Sequence, residues 1–145
     1  MKPKVAFFDF ACCEGCQLQV ANLEEDIVGV VELVDLVEFR EVLTGTAPEY
    51  DIAFIEGSIT REQDEERLKD IRNRSKFLIA YGACATTGGV NKIKNLRNLE
   101  QVRREVYGDD WNKPHLDTYP TKAVHEVVKV DYHMHGCPIN REELV

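Results

Sequence analysis

The stretch KVAFFDFACCEGCQLQVANLEEDI, residues 4–27, changes its periodicity part-way along. Val5 to Phe10 form an apolar run broken only by Asp9, and KVAFFDF (4–10) has the pattern of a strand buried on both faces. From Gln17 onward, Val20, Leu23 and Ile27 recur at helical spacing, with Ala21 and Val28 beside them. The spacing predicts a helix over residues 17–27. A buried strand that passes through a short turn into an amphipathic helix is one half of a βαβ unit.

The unit repeats. VELVDLVEF (31–39), YDIAFIEG (50–57) and KFLIAYGAC (76–84) read as further buried strands, each bounded by charge or turn residues. EVVKVDYHMHG (126–136) alternates more and reads as a strand nearer the sheet edge. Thr60 with Gln63 has the spacing of a capping box. Acids crowd residues 62–66 and bases 67–74, as the helix dipole favours, and only Leu68 and Ile71 are apolar, so this helix lies on the surface. Leu96, Leu99, Val102 and Val106 predict a third helix that stops at Gly108. Residues 109–123 form a long irregular connection, which either serves binding or packs on its own Trp111 and Tyr119. Strands alternating with helices give an α/β class, a flavodoxin-like doubly wound parallel sheet of order 2-1-3-4-5.

The chain has 145 residues, which suits one domain, and no composition shift divides it. A net charge of −8, with bases interspersed among acids, argues against nucleic acid as a partner. No apolar run approaches the roughly 20 residues of a membrane span. No secretory leader is visible, so the expectation is a cytoplasmic protein without membrane insertion.

Five cysteines in a reducing compartment point to metal or redox chemistry rather than disulfides. Cys12, Cys13 and Cys16 follow the first strand, Cys84 the fourth and Cys137 the fifth. In an open α/β sheet ligands bind beyond the carboxyl ends of the strands, so all five are expected on loops at one edge. Glu56 and Gly57 reach the same edge after the third strand. Zinc usually takes paired knuckles, and here only Cys13–Cys16 is such a pair. An iron–sulfur cubane accepts single thiolates from separated loops and suits this spacing better. Gly15, Gly82, Gly88, Gly89 and Gly136 lie beside these cysteines, where they let backbone approach the sulfurs and offer N–H groups. A thiol–disulfide enzyme built on Cys13–Cys16 is the third reading, and it leaves Cys84 and Cys137 unexplained.

CEGC after the first strand, EGSI after the third, GACATTGG after the fourth and GCP after the fifth resemble the small subunit of nickel–iron hydrogenases. The 20-kDa subunit of respiratory NADH:quinone oxidoreductase shares the pattern. The resemblance implies one proximal [4Fe-4S] cluster on Cys13, Cys16, Cys84 and Cys137. It also implies a large partner subunit that carries the nickel–iron site, and iron–sulfur or flavin subunits that take the electrons onward. Three features depart from the hydrogenase pattern. Cys12 adjoins Cys13, a tandem found in the respiratory relatives, and is an alternative ligand. Leu18 stands where many hydrogenase small subunits have an acid. The chain ends at Val145, eight residues past Cys137, whereas larger small subunits continue into a segment with medial and distal clusters. The domain expected over 1–145 is therefore either a one-cluster subunit or a chain cut before further clusters.

The expected function is electron transfer in a cytoplasmic nickel–iron hydrogenase. The alternatives are a quinone-reducing respiratory or membrane-bound hydrogenase complex and a zinc-stabilised binding module. Glu56 is expected to bond loop amides or the partner, or else to be an ordinary strand-end acid. His133 and His135, two apart before Cys137, either tune the cluster or are plain strand residues; His115 and His125 carry no readable role. An apolar partner face is expected near Phe8, Phe10, Leu18, Ile59 and part of 109–123. Asn140 is expected to cap a last helix carrying Glu142 and Glu143.

Overall fold

The structure, a computed structural model, describes residues 2–24 and 26–144; Val145, the end of the expected domain, lies outside them. Five strands are described: β1 (Lys4–Asp9), β2 (Asp35–Phe39), β3 (Tyr50–Glu56), β4 (Ser75–Tyr81) and β5 (Tyr132–Met134). They form one all-parallel sheet of order β2-β1-β3-β4-β5, the doubly wound order expected from the strand–helix alternation. The helices are α1 (Gly15–Ala21), α2 (Asp26–Leu33), α3 (Glu62–Arg74), α4 (Ala83–Thr87), α5 (Leu99–Tyr107) and α6 (Arg141–Leu144).

Strand alternation divides the core into two layers. Val5 and Phe7 of β1 face one side, with Val20, Leu23, Phe39, Tyr81, Met134 and Ile139. Ala6 and Phe8 face the other, with Tyr50, Ile55, Leu68, Ile71, Leu78 and Ala80. Both faces are covered, which is why these strands read as continuous apolar runs. Phe7 stacks on Phe54 at 4.6–4.7 Å from its aromatic neighbours, Phe39 and Phe54, and Tyr81 meets both Phe7 and Phe54 edge-on.

Several sequence expectations change here. The helix expected over 17–27 ends at Ala21 with Asn22 as its cap, and a separate helix begins at Asp26. Val31–Leu33, expected in the second strand, belong to that helix, and β2 begins only at Asp35. An apolar run of this length suits helix or strand equally, and periodicity alone does not separate them. The fifth strand is three residues long rather than eleven. Its preceding segment turns at Val124–Glu126 and buries Val127, Val128 and Val130 against the core as separate anchors. Thr60 turns to Asp64 Oδ2 rather than Gln63, and Arg61 is the cap residue of α3. Leu96 lies outside α5 and is exposed, while Gly108 ends that helix as expected. Asn140 Oδ1 accepts from the Glu142 amide at 2.9 Å, the expected cap of α6.

The 109–123 connection packs on its own aromatics. Trp111 lies under the Arg104 guanidinium at 3.9 Å, and Tyr119 donates to Glu65 at 2.7 Å. Lys122 and Ile59 exchange backbone hydrogen bonds, both 2.9 Å. The segment is thereby tied to α3 and to the loop after β3.

Asp131 joins three elements. Its Oδ2 accepts from the Leu78 amide at 2.9 Å and from Arg72 at 2.6 Å. The Leu78 amide first, and then Arg72, hold its carboxyl below the usual range. Asp131→Asn is expected to lower the unfolding free energy by about 1–3 kcal/mol at neutral pH, read from denaturant midpoints. A lowered folded pKa stabilises above the ordinary carboxylate range, and that contribution is lost as pH falls through the lowered value. The gap between parent and variant therefore closes in acid.

Candidate metal centre

The first strand-to-helix turn is short, so α1 begins inside the cysteine motif. Glu14 takes a left-handed conformation (φ 61°) and turns the chain, with its carboxylate paired to Arg40. Cys16 thus lies in the first turn of α1, not on a loop. Cys84 likewise lies in α4, whereas Cys12, Cys13 and Cys137 are on loops as expected. All five thiols are free.

The loops that carry them are laced together by backbone bonds. Phe10 N donates to Glu56 O at 2.9 Å, and Ala11 and Ser58 exchange bonds of 3.1 and 3.0 Å. On the other side Gly82 N donates to Met134 O at 2.9 Å, and Ala83 N to Gly136 O at 2.7 Å. The turn after β1 is thereby fixed to the turn after β3, and the turn after β4 to the turn after β5. Asn91, which the sequence reading passed over, donates from Nδ2 to Ala11 O at 2.7 Å and to Ser58 Oγ at 2.9 Å. Nothing in an isolated asparagine after two glycines announces that role.

Cys84 is within electrostatic reach of Cys13 and Cys137, and of Cys12 and Cys16. Burial pushes the Cys12 and Cys16 thiols up to about 12, with Glu56 and Cys84 adding to the shift. Burial is also the main cause that raises Cys84. Thiols so disfavoured as free anions need a positive centre to hold them deprotonated.

Glycines set the space around the sulfurs. A Cβ on Gly82 (φ +86°) would stand 2.5 Å from Cys16 Sγ, and one on Gly89 3.0 Å from Cys84 Sγ. One on Gly15 would stand 3.3 Å from Cys13 Sγ. Gly136 (φ +135°) accepts from Ala83 through its carbonyl and sits against Pro138. Among the described residues, no three His, Cys, Asp or Glu side chains converge closely enough for a single metal ion. A soft, thiolate-only donor set, drawn from separate elements and lined by glycine, fits a multi-iron cluster better than one zinc ion.

Glu56 is 2% exposed, and its two oxygens accept from the Cys16 amide at 3.0 Å and the Gln17 amide at 2.9 Å. The amides it bonds belong to the first turn of α1 rather than to a loop. Burial raises its pKa while the two amides oppose the rise. His133 and His135 share a face and stack at 6.2 Å, with His125 edge-on to His133 at 5.7 Å. His135 Nδ1 meets Thr86 Oγ1 at 3.2 Å. Of the apolar face expected near the site, Phe8 (3% exposed) and Ile59 (0%) are core residues, because their strand and bridge positions turn them inward. Leu18 is exposed as expected. Val90, Ile93 and Leu96, which follow the Gly88–Gly89 pair, are exposed apolar residues that the sequence reading did not include.

A family model described as NADH ubiquinone oxidoreductase, 20 Kd subunit, matches residues 13–145. Subunit delta of sulfhydrogenase 2 from Pyrococcus furiosus is 34% identical over 142 residues, covering 97% of this chain and 58% of that protein. Subunit delta of the NAD-reducing hydrogenase HoxS from Cupriavidus necator is 32% identical over 151 residues, covering 94% of this chain and 72% of that protein. In the solved structures, a chain of an NAD+-reducing [NiFe]-hydrogenase in the H2-reduced state matches with a TM-score of 0.88 and 29% identity. That match covers 99% of this chain and 87% of that one. The chain spans about half the length of most of the curated relatives it matches. Among the described residues no helix is long and apolar enough to cross a membrane.

Proposed function

This chain belongs to the family of the NADH ubiquinone oxidoreductase 20 Kd subunit, and on that premise we propose that it is the electron-transfer subunit of a cytoplasmic nickel–iron hydrogenase. The observation that carries the reading is that Cys84, after β4, is within electrostatic reach of four other thiols, which follow β1 and β5. Relatives named as hydrogenase subunits support the assignment to that class of complex.

Cys13, Cys16, Cys84 and Cys137 are the proposed ligands of one [4Fe-4S] cluster, with Cys12 beside them as the alternative. A cluster of this kind supplies one-electron transfer between the hydrogen-activating metals of a large partner subunit and iron–sulfur or flavin subunits downstream. The residues of this chain hold and shield it. Gly82, Gly89 and Gly15 leave room beside the sulfurs. Glu56 fixes the first turn of α1, and with it Cys16, by binding two adjacent amides. Hydrogen activation is assigned to the large partner subunit, in keeping with the electron-transfer role proposed for this chain.

Leu18, in the helix of Cys16, and Val90, next to the Gly89 that adjoins Cys84, offer exposed apolar contact for that partner. Five free thiols suit a reducing compartment. A quinone-reducing complex is the second reading, favoured by the tandem Cys12-Cys13. Anaerobic purification from the native host through a tag on this chain separates the two. The hydrogenase reading expects a larger subunit that contains nickel held by two C-x-x-C pairs, with hydrogen-dependent reduction of a dye. A nickel-free assembly that reduces quinone would replace it with the second.

A further inference from the structure

Two buried polar side chains beside the cysteines have no hydrogen-bond partner among the described residues. Gln17 is 0% exposed, and neither its amide nitrogen nor its amide oxygen makes a hydrogen bond. Tyr81 is 0% exposed, and its hydroxyl makes none. Unpaired buried polar atoms are costly, and methionine and phenylalanine would fill the same space without that cost.

Both residues adjoin the cysteine shell. Gln17 follows Cys16 in the first turn of α1, and helical side chains lean toward the N-terminus, here toward the cysteine turn. Tyr81 ends β4 and packs in the same apolar layer as Cys16. The residue after it, Gly82, brings the chain against Cys16 Sγ. The Tyr81 hydroxyl lies within electrostatic reach of Glu56, Cys16 and Cys12. Glu56 is engaged by the amides of Cys16 and Gln17 and takes nothing from the phenol. Among the described residues, the Gln17 carboxamide N–H groups and the Tyr81 O–H are buried side-chain donors next to the cysteine shell that make no hydrogen bond.

We propose that Gln17 and Tyr81 donate hydrogen bonds to the sulfurs held at this site and thereby raise the reduction potential of the bound cluster. The proposal rests on the electron-transfer reading above. Reduction adds negative charge to the sulfurs, so donors aimed at them favour the reduced state, most strongly where water is excluded.

The test is a redox titration, followed by electron paramagnetic resonance, of the full chain purified anaerobically with whatever subunits accompany it. Parent, Tyr81→Phe, Gln17→Met and the double variant are compared. Each single variant is expected to keep its iron and sulfide and to lower the midpoint. In the double variant the ratio of reduced to oxidised cluster at fixed potential falls about tenfold, equivalent to about 59 mV for a one-electron couple. Unchanged midpoints at full iron content overturn the proposal and leave the electron-transfer reading standing. Loss of iron in Tyr81→Phe, which keeps the ring and its packing, also overturns it, because the hydroxyl then serves assembly. A parent without any iron–sulfur signal overturns the electron-transfer reading itself.

Discussion

Cys84→Ser is expected to abolish iron binding, whereas Cys12→Ser leaves a chain that still carries a full cluster. The difference follows from where each thiol comes from. Cys84 is the sole cysteine of its turn, and it stands within electrostatic reach of the four others. Its position is fixed by Gly82 N and Ala83 N, which bond to Met134 O and Gly136 O. No neighbouring residue offers sulfur in its place. Serine supplies a hard oxygen that suits iron–sulfur chemistry poorly. Cys12 has Cys13 directly beside it, so its loss leaves the proposed ligand set intact. Iron and acid-labile sulfide analysis, with the visible charge-transfer absorption, reads the outcome: near zero for Cys84→Ser and about four irons for Cys12→Ser. A full cluster in Cys84→Ser would remove Cys84 from the ligand set. Loss in Cys12→Ser would place Cys12 within it.

Gly82→Ala is the second large effect, and it acts through shape instead of chemistry. The backbone at Gly82 has φ +86°, where a Cβ is strained, and that Cβ would stand 2.5 Å from Cys16 Sγ. Relief requires either Cys16 or the turn to move, and both are held. Cys16 N is bound by Glu56, and Gly82 N by Met134 O. Gly108→Ala is the control, because φ there is +56° with nothing within 4 Å of the added atom. Gly108→Ala is expected to cost about 1–2 kcal/mol from backbone strain alone and to keep its iron. Gly82→Ala is expected to cost more than that and to lose the cluster. Thermal unfolding of the anaerobic proteins, with iron content measured alongside, distinguishes them. Equal melting temperatures and equal iron in the two variants would show that Gly82 does not shape the site.

Much of the fold was legible in the sequence because parallel strands are buried on both faces. KVAFFDF, YDIAFIEG and KFLIAYGAC are apolar at nearly every position for that reason, and each became a strand. Legibility failed where the apolar signal lacked period. Val31–Leu33 join a helix that buries none of its residues, so neither burial nor alternation marked its class. The segment 126–136 alternates, yet most of its valines anchor an irregular crossing and only Tyr132–Met134 pair. At the site, the cysteines and glycines were visible because their residue types have few other uses at such spacing. Gln17, Tyr81 and Asn91 were not. Gln17 and Tyr81 stand out through burial without a side-chain partner, and Asn91 through partners distant in the chain; no local pattern encodes either. Phe8 and Ile59 erred in the opposite sense, since apolar residues near an interface look the same in sequence as apolar residues in a core.

The most direct measurement is Mössbauer spectroscopy on the full chain purified anaerobically, joined to metal and sulfide analysis. The account predicts a single cubane with about four irons and four sulfides per chain, turned paramagnetic by one electron. Zinc in place of iron, or iron without sulfide, would contradict it.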